Sequence, residues 1–242
     1  MHTMCFRRRL DTDVHVVAQS EHNYCPIGTG RRPEGMVARA PSSETALGSF
    51  FAKSSQLEAA SVFAFDRLTH ELQAHGAPEW LMRDAERSKL DEVRHAVATA
   101  HLAKRFGTST PAISVGSMDV RPLFEIALEN AVEGCVREAF GALVAAHQTK
   151  HAEDELVARA MAVIAKDEAR HAALAWEVAA WAEPRVSEAE RERIAEARRE
   201  AARELRASLR QELAPELIRD AGVPTEERAI AMFDHLAERL WT

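Results

Sequence analysis

The chain has 242 residues, 46% of them apolar, and a formal net charge of −7, which allows one packed domain with extensions and excludes a disordered or fibrous polypeptide. The acidic balance excludes a general nucleic-acid binder, because phosphate neutralisation needs a clustered Lys/Arg surplus and the basic runs are as short as Arg7-Arg8-Arg9 and Arg31-Arg32. No apolar stretch reaches the roughly 18 residues of a membrane span, and the N-terminal arginines lead into Leu-Asp-Thr-Asp rather than an apolar signal core, so no membrane partner and a cytoplasmic location are expected.

Alanine, leucine, glutamate and arginine dominate while Gly, Pro and β-branched residues are sparse in the middle of the chain, which predicts an all-α fold. Residues 1–42 lack a sustained helical period and carry Gly/Pro-rich stretches, so an irregular leader is expected. Helix A is predicted over about 44–75, stopped by Gly76-Ala77-Pro78, and helix B from Pro78 to about Phe106, with Gly107 just past its end. Two long helices joined by so few residues are antiparallel neighbours.

The Gly/Ser/Thr/Pro-rich stretch 107–119 precedes a helix C starting at Pro122 and continuing to about Ala152. A connection of roughly 14 residues spans at most about 45 Å, the length of a 30-residue helix, so it can return along the whole molecule in one long crossover; a short turn with slack fits as well. Helix D is predicted over about 153–181, ending before Pro184 and completing a helical unit over 43–184. Beyond it, residues 185–242 form a helical extension: a Glu/Arg-rich stretch with a narrow stripe at Ile194, Ala197, Ala201, Leu205 and Leu209, then a segment with Ile230, Phe233, Leu236, Leu240 and Trp241 that fits either the main body or another subunit.

Helix B contains Asp91-Glu92-Val93-Arg94-His95-Ala96 and helix D contains Asp167-Glu168-Ala169-Arg170-His171-Ala172, identical at five of six positions and 76 residues apart. Helix A contains Glu58-Ala59-Ala60 and then Ala64-Phe65, and helix C contains Glu133-Gly134-Cys135 and then Ala139-Phe140, 75 residues apart. The simplest account is a duplicated helical hairpin, each copy carrying one Glu on its first helix and Glu-x-x-His on its second. Residues three apart in a helix project to the same side, so Glu92 with His95, and Glu168 with His171, can reach a common ion. A single Glu-x-x-His carries little weight in a chain with 11 histidines and 38 acids; two copies in one frame, each paired with an upstream Glu, point to a metal site. Carboxylate and imidazole suit iron or manganese, and four glutamates balance two divalent ions. The cysteines Cys5, Cys25 and Cys135 form no C-x-x-C pair, which disfavours a disulfide framework or zinc ribbon.

Through the order Glu58, Glu92-x-x-His95, Glu133, Glu168-x-x-His171, the stretch from about 44 to 183 resembles the ferritin-like superfamily, especially its rubrerythrin and bacterioferritin branch. The resemblance implies a four-helix bundle with one long crossover and two iron ions as cofactor, with manganese as the alternative metal. It places Glu58 and His95 on one metal, Glu133 and His171 on the other, and Glu92 and Glu168 as bridges. It also implies that Asp91 accepts a hydrogen bond from His171 and Asp167 one from His95, the alternative being ordinary surface acids. Glu129 and Glu138 are further acids on helix C, and Glu129 fits either an extra ligand or an ion pair. Cys135 reads as a small buried filler, and the lone tyrosine, Tyr24, lies in the leader.

The function expected on this resemblance is a non-haem diiron oxidoreductase acting on O2 or peroxide, with a small-molecule substrate or Fe2+ and an electron donor as partners and either a single chain or a homo-oligomer as its assembly. The competing readings are a ferritin-type iron-storage subunit and a helical interaction module with a vestigial site.

Overall fold

The computed structural model describes residues 30–33, 35–116 and 119–241. The expectations for Cys5, Tyr24, Cys25 and the first 29 residues of the leader lie outside the described residues. The described chain is mostly helical: α1 (Ala46–Ala74), α2 (Glu79–Arg105), α3 (Leu123–Glu129), a π-helical segment (Asn130–Glu138), α4 (Ala139–His151), α5 (Glu155–Ala182), α6 (Glu188–Ser208), α7 (Pro215–Arg219) and α8 (Glu226–Leu240). The leader departs from irregular chain at β1 (Val37–Ala38), which pairs antiparallel with β2 (Ile113–Ser114) in the long connection. No helix among the described residues is long and apolar enough to cross a membrane.

Helix starts and stops follow local chemistry. Thr45 caps α1, its hydroxyl accepting from the Gly48 N–H at 3.0 Å, and Asp154 caps α5 through the N–H groups of Leu156 and Val157. Predicted helix C is one rod of three pieces: α3, the π segment and α4 follow one another without a break. The π segment is the departure from expectation. A run of i to i+5 hydrogen bonds brings residues five apart close to one face, where an α-helix would turn them about 140° away from each other.

Hydrogen bonds trace the path of the long connection. Near its start, Thr45 Oγ1 at the head of α1 donates to Phe106 O. Further on, Gln56 Nε2 donates to Pro111 O, and Arg67 Nη2 donates to Asp119 O. At its end, the Arg121 guanidinium grips Glu71 and the His75 ring meets Arg121 O, both at the foot of α1. The connection therefore returns along the length of α1, and the third rod begins at the end of the molecule where α2 begins. Arg105 at the end of α2 meets Asp154 at the start of α5, which fixes the opposite end.

The core divides into two large apolar clusters and a small one of Cys135, Ala175 and Ala179. One large cluster contains Phe50, Phe51, Leu102, Phe140, Val144, Met161 and Ile164 and continues into the C-terminal helices through Leu209, Phe233 and Trp241. The other contains Phe65, Leu72, Leu81, Ile126, Leu174, Val178 and Ile194. Between these two on α1, α2 and α5 lies a layer of buried charge: Glu58, Glu92, His95, Glu168 and His171 are each at most 1% exposed. Of the two placements open for the C-terminal segment, packing on the main body is the one found, with Phe233 against Phe140 and Trp241 against Phe233.

Candidate metal centre

Elementary helix geometry assembles the centre. On α2 the i, i+3 pair Glu92 and His95 turns inward, α5 does the same with Glu168 and His171, and Glu58 enters from α1. Ligand atoms of Glu58, Glu92, His95 and Glu168 all lie within 4.8 Å of one another, and so do those of Glu92, Glu138 and His171. Glu92 belongs to both groups. His95 Nδ1 lies 3.4 Å from Glu168 Oε1, 3.5 Å from Glu92 Oε2 and 3.8 Å from Glu58 Oε2. His171 Nδ1 lies 3.2 Å from Glu92 Oε1 and 3.6 Å from Glu168 Oε1.

The outer nitrogen of each ring faces an aspartate from the opposite helix. His95 Nε2 is 3.1 Å from Asp167 Oδ2 and His171 Nε2 is 3.4 Å from Asp91 Oδ2. A proton held on Nε2 by the aspartate directs Nδ1 at the glutamates, where its lone pair is available to a metal ion once the second ring proton is lost. Arg94 spans Asp91 and Asp167 from one side and Arg170 spans the same two aspartates from the other. Arginine and imidazole together hold Asp91 well below the usual carboxylate range despite the opposing effect of burial, and Asp167 is lowered in the same way.

The third rod contributes a different glutamate from the one the duplication points to. Glu133 is in neither group; its Oε2 accepts from the Arg32 N–H at 3.1 Å and its Oε1 lies 3.6 Å from Arg137 Nη1. Glu138, five residues on, reaches Glu92 and His171 instead. The π segment explains the exchange, since it puts residues 133 and 138 near one face and one turn apart, so the glutamate matching Glu58 in sequence does not match it in space. Glu129 forms an ion pair with Arg121, at 2.6 Å and 3.3 Å. Cys135 is fully buried and its thiol is pushed up to about 12, chiefly by that burial. None of His70, His75, His101, His147, His151 and His235 belongs to either group.

Sequence reasoning missed Arg31. It is 2% exposed, donates from Nε to Glu138 Oε1 at 3.0 Å, and sets Nη2 3.0 Å from Oε2. The guanidinium also lies over the Phe65 ring at 4.5 Å, and that ring packs edge-on against His171 at 5.1 Å. Within the leader only its place in a short basic run marked it, and no periodicity tied it to the helices.

Without a metal, protons and cations balance the charge. Burial raises the Glu58 carboxyl well above its ordinary value, with the Glu92 and Glu168 charges adding to it. Burial disfavours imidazolium at His95, but the carboxylates of Glu168 and Glu92 outweigh it and push the ring up to about 11; His171 is raised for the same reason by Asp91, Glu168 and Glu92. The imidazoles in turn hold Glu92 down to about 2 against its burial. Glu138 is pushed up to about 7 by burial, against the pull of Arg31.

A divalent cation fits this set. Both oxygens of Glu92 and of Glu168 and Nδ1 of each imidazole are buried with no hydrogen bond of acceptable geometry among the described residues. Orphaned polar atoms of that number are costly in a packed interior, and a cation that replaces the ring protons satisfies them together. Oxygen donors with two imidazole nitrogens match first-row divalent metals better than thiophilic ones. The buried Glu/His group could therefore hold a metal ion. No protein-family model matches the chain, and no curated protein or solved structure shows significant similarity to it.

Proposed function

We propose that the chain is a ferritin-like four-helix protein that holds two metal ions, iron as the native pair, and acts as an oxidoreductase on O2 or peroxide. The observation that carries this reading is the reciprocal Glu-x-x-His pair on α2 and α5, with its carboxylate oxygens and both Nδ1 atoms buried and unsatisfied. The crossover along α1, which starts the third rod beside the beginning of α2, supports the ferritin-like topology.

Glu58, Glu92, His95 and Glu168 would hold one ion, and Glu92, Glu138 and His171 the other, with Glu92 common to both. When bound, reduced iron supplies the electrons that O2 or peroxide accepts. The chain's own residues do the rest. Asp167 and Asp91 fix the tautomer of the two imidazoles, and the apolar clusters on either side, with Phe65 against His171, keep bulk water away. Glu138, which accepts from Arg31 Nε, closes the centre on the side of residues 30–32.

The test is anaerobic loading with Fe2+ followed by a pulse of O2 or peroxide, watching oxidant consumption and iron per chain. Oxidant consumption with iron staying near two per chain supports an oxidoreductase. Iron accumulating far beyond two per chain indicates storage, and Fe2+ that neither binds nor reacts contradicts the proposal.

A further inference from the structure

The two groups of ligands are built on one repeat yet differ in charge. Glu58, Glu92 and Glu168 bring three carboxylates to His95 in the first group. In the Glu92, Glu138 and His171 group, one of the two carboxylates is already neutralised, because both Glu138 oxygens face the Arg31 guanidinium at 3.0 Å. Arg31 remains charged: burial opposes its cation, and Glu138 more than offsets that.

The guanidinium is seated in a shaped pocket. The backbone of Arg31 is tied to α1 by its N–H donating to Ser61 Oγ. Gly30 precedes it at φ +101°, and a Cβ there would stand 2.7 Å from Ser61 Oγ, so only glycine lets the segment lie this close to α1. On the other side a Cβ at Gly134 would stand 3.0 Å from Arg31 Nη2 and 2.6 Å from Ala175 Cβ. The same segment also governs the other glutamate of the third rod, since the Arg32 N–H holds Glu133 away from the centre.

We propose that Arg31 is a built-in cation of the second position, so that the two positions are unequal. The Glu58, Glu92, His95 and Glu168 position takes a divalent ion first and tightly, whereas the Glu92, Glu138 and His171 position takes one only against the charge of Arg31. This rests on the metal-centre reading above. Like charges sharing one carboxylate in a buried, weakly screened place repel strongly, so the sign of the effect is set whether or not Glu138 stays paired with Arg31. Residues 30–32 thereby set the loading of a site formed by helices that follow them in the chain.

The experiment is Mn2+ binding to the full-length protein by calorimetry at fixed pH, comparing wild type with Arg31→Gln and Arg31→Lys. Wild type is expected to show one tight site and a second weaker by at least about tenfold, the scale of a nearby buried charge. Arg31→Gln should tighten the second site by at least about tenfold and leave the first unchanged, while Arg31→Lys should keep it weak. Two equal sites in wild type, no tightening in Arg31→Gln, or tightening by Arg31→Lys equal to that of Arg31→Gln would overturn the role of Arg31. Absence of Mn2+ binding in wild type and both variants would overturn the metal-centre reading itself. If far-UV circular dichroism shows that Arg31→Gln does not fold, wild type and Arg31→Lys still decide, because equal sites in either contradict the proposal.

Discussion

Glu133 and Glu138 separate what a residue's place in the sequence promises from what its place in space delivers. Both are buried acids on the third rod, but Glu133 meets the Arg32 N–H and Arg137 while Glu138 meets Glu92 and His171. Glu133→Gln should therefore leave Mn2+ stoichiometry unchanged, whereas Glu138→Gln should remove the second equivalent; equilibrium dialysis with elemental analysis measures both. Loss of metal from Glu133→Gln with none from Glu138→Gln would restore the assignment made from the duplication. The common facing of Glu92 with His95, and of Glu168 with His171, was legible because i, i+3 spacing on an α-helix leaves only one common face, and Glu58 was marked by the order of the repeat. Glu138 was not, because an α-helical template turns it away from Glu133, and nothing local in Asn130–Glu138 announces the wider turn.

At the scale of elements, the π segment depends on partners remote in sequence. A π stretch leaves backbone groups out of α-helical register, and one of them, Cys135 O, accepts from the buried Trp241 indole N–H at 2.8 Å. Asn130 Nδ2, at the start of the same segment, donates to Ala175 O on α5 at 2.8 Å. The C-terminal extension is thus a clamp on the rod that carries Glu138. Trp241→Ala removes this hydrogen bond and the packing on Phe233, so it should cost about 3–5 kcal/mol of unfolding free energy, as large-to-small substitutions in cores do. Urea denaturation followed by circular dichroism checks this, and a loss below about 1 kcal/mol would show that the extension does not support the rod. The extension's helices were readable from their apolar stripes, but not the surface they cover, because an amphipathic face specifies burial without naming a partner.

For the whole molecule, a layer of charge between two apolar clusters ties stability to pH. His95 is raised to about 11 in the folded state from 6.5, so its stabilisation is complete below 6.5 and is lost as pH rises toward the folded value. Glu138, raised to about 7 from 4.5, loses its contribution over that lower window, and Glu58 and His171, raised as well, act in the same direction. Glu92, depressed to about 2, contributes above 4.5 and loses its contribution only as pH falls through its folded value. The metal-free protein should therefore melt at progressively lower temperature as pH rises from about 5 to 9. A metal must displace these protons, so the stabilisation it adds should grow over the same range, as differential scanning calorimetry would show. A metal-induced gain that shrinks with rising pH would contradict a buried carboxylate and imidazole site.

The overall order of helices was legible from caps, prolines and apolar spacing, whereas the path of the connection along α1 rested on Gln56, Arg67 and Arg121, long polar side chains whose partners no local pattern specifies. The central claim, that these helices converge on a pair of metal ions, is tested most directly by anomalous X-ray scattering from crystals soaked in excess Mn2+. Two peaks about 3.5–4 Å apart are expected, one among Glu58, Glu92, His95 and Glu168 and the other among Glu92, Glu138 and His171. No peak among these side chains, or peaks only on the molecular surface, would contradict the account.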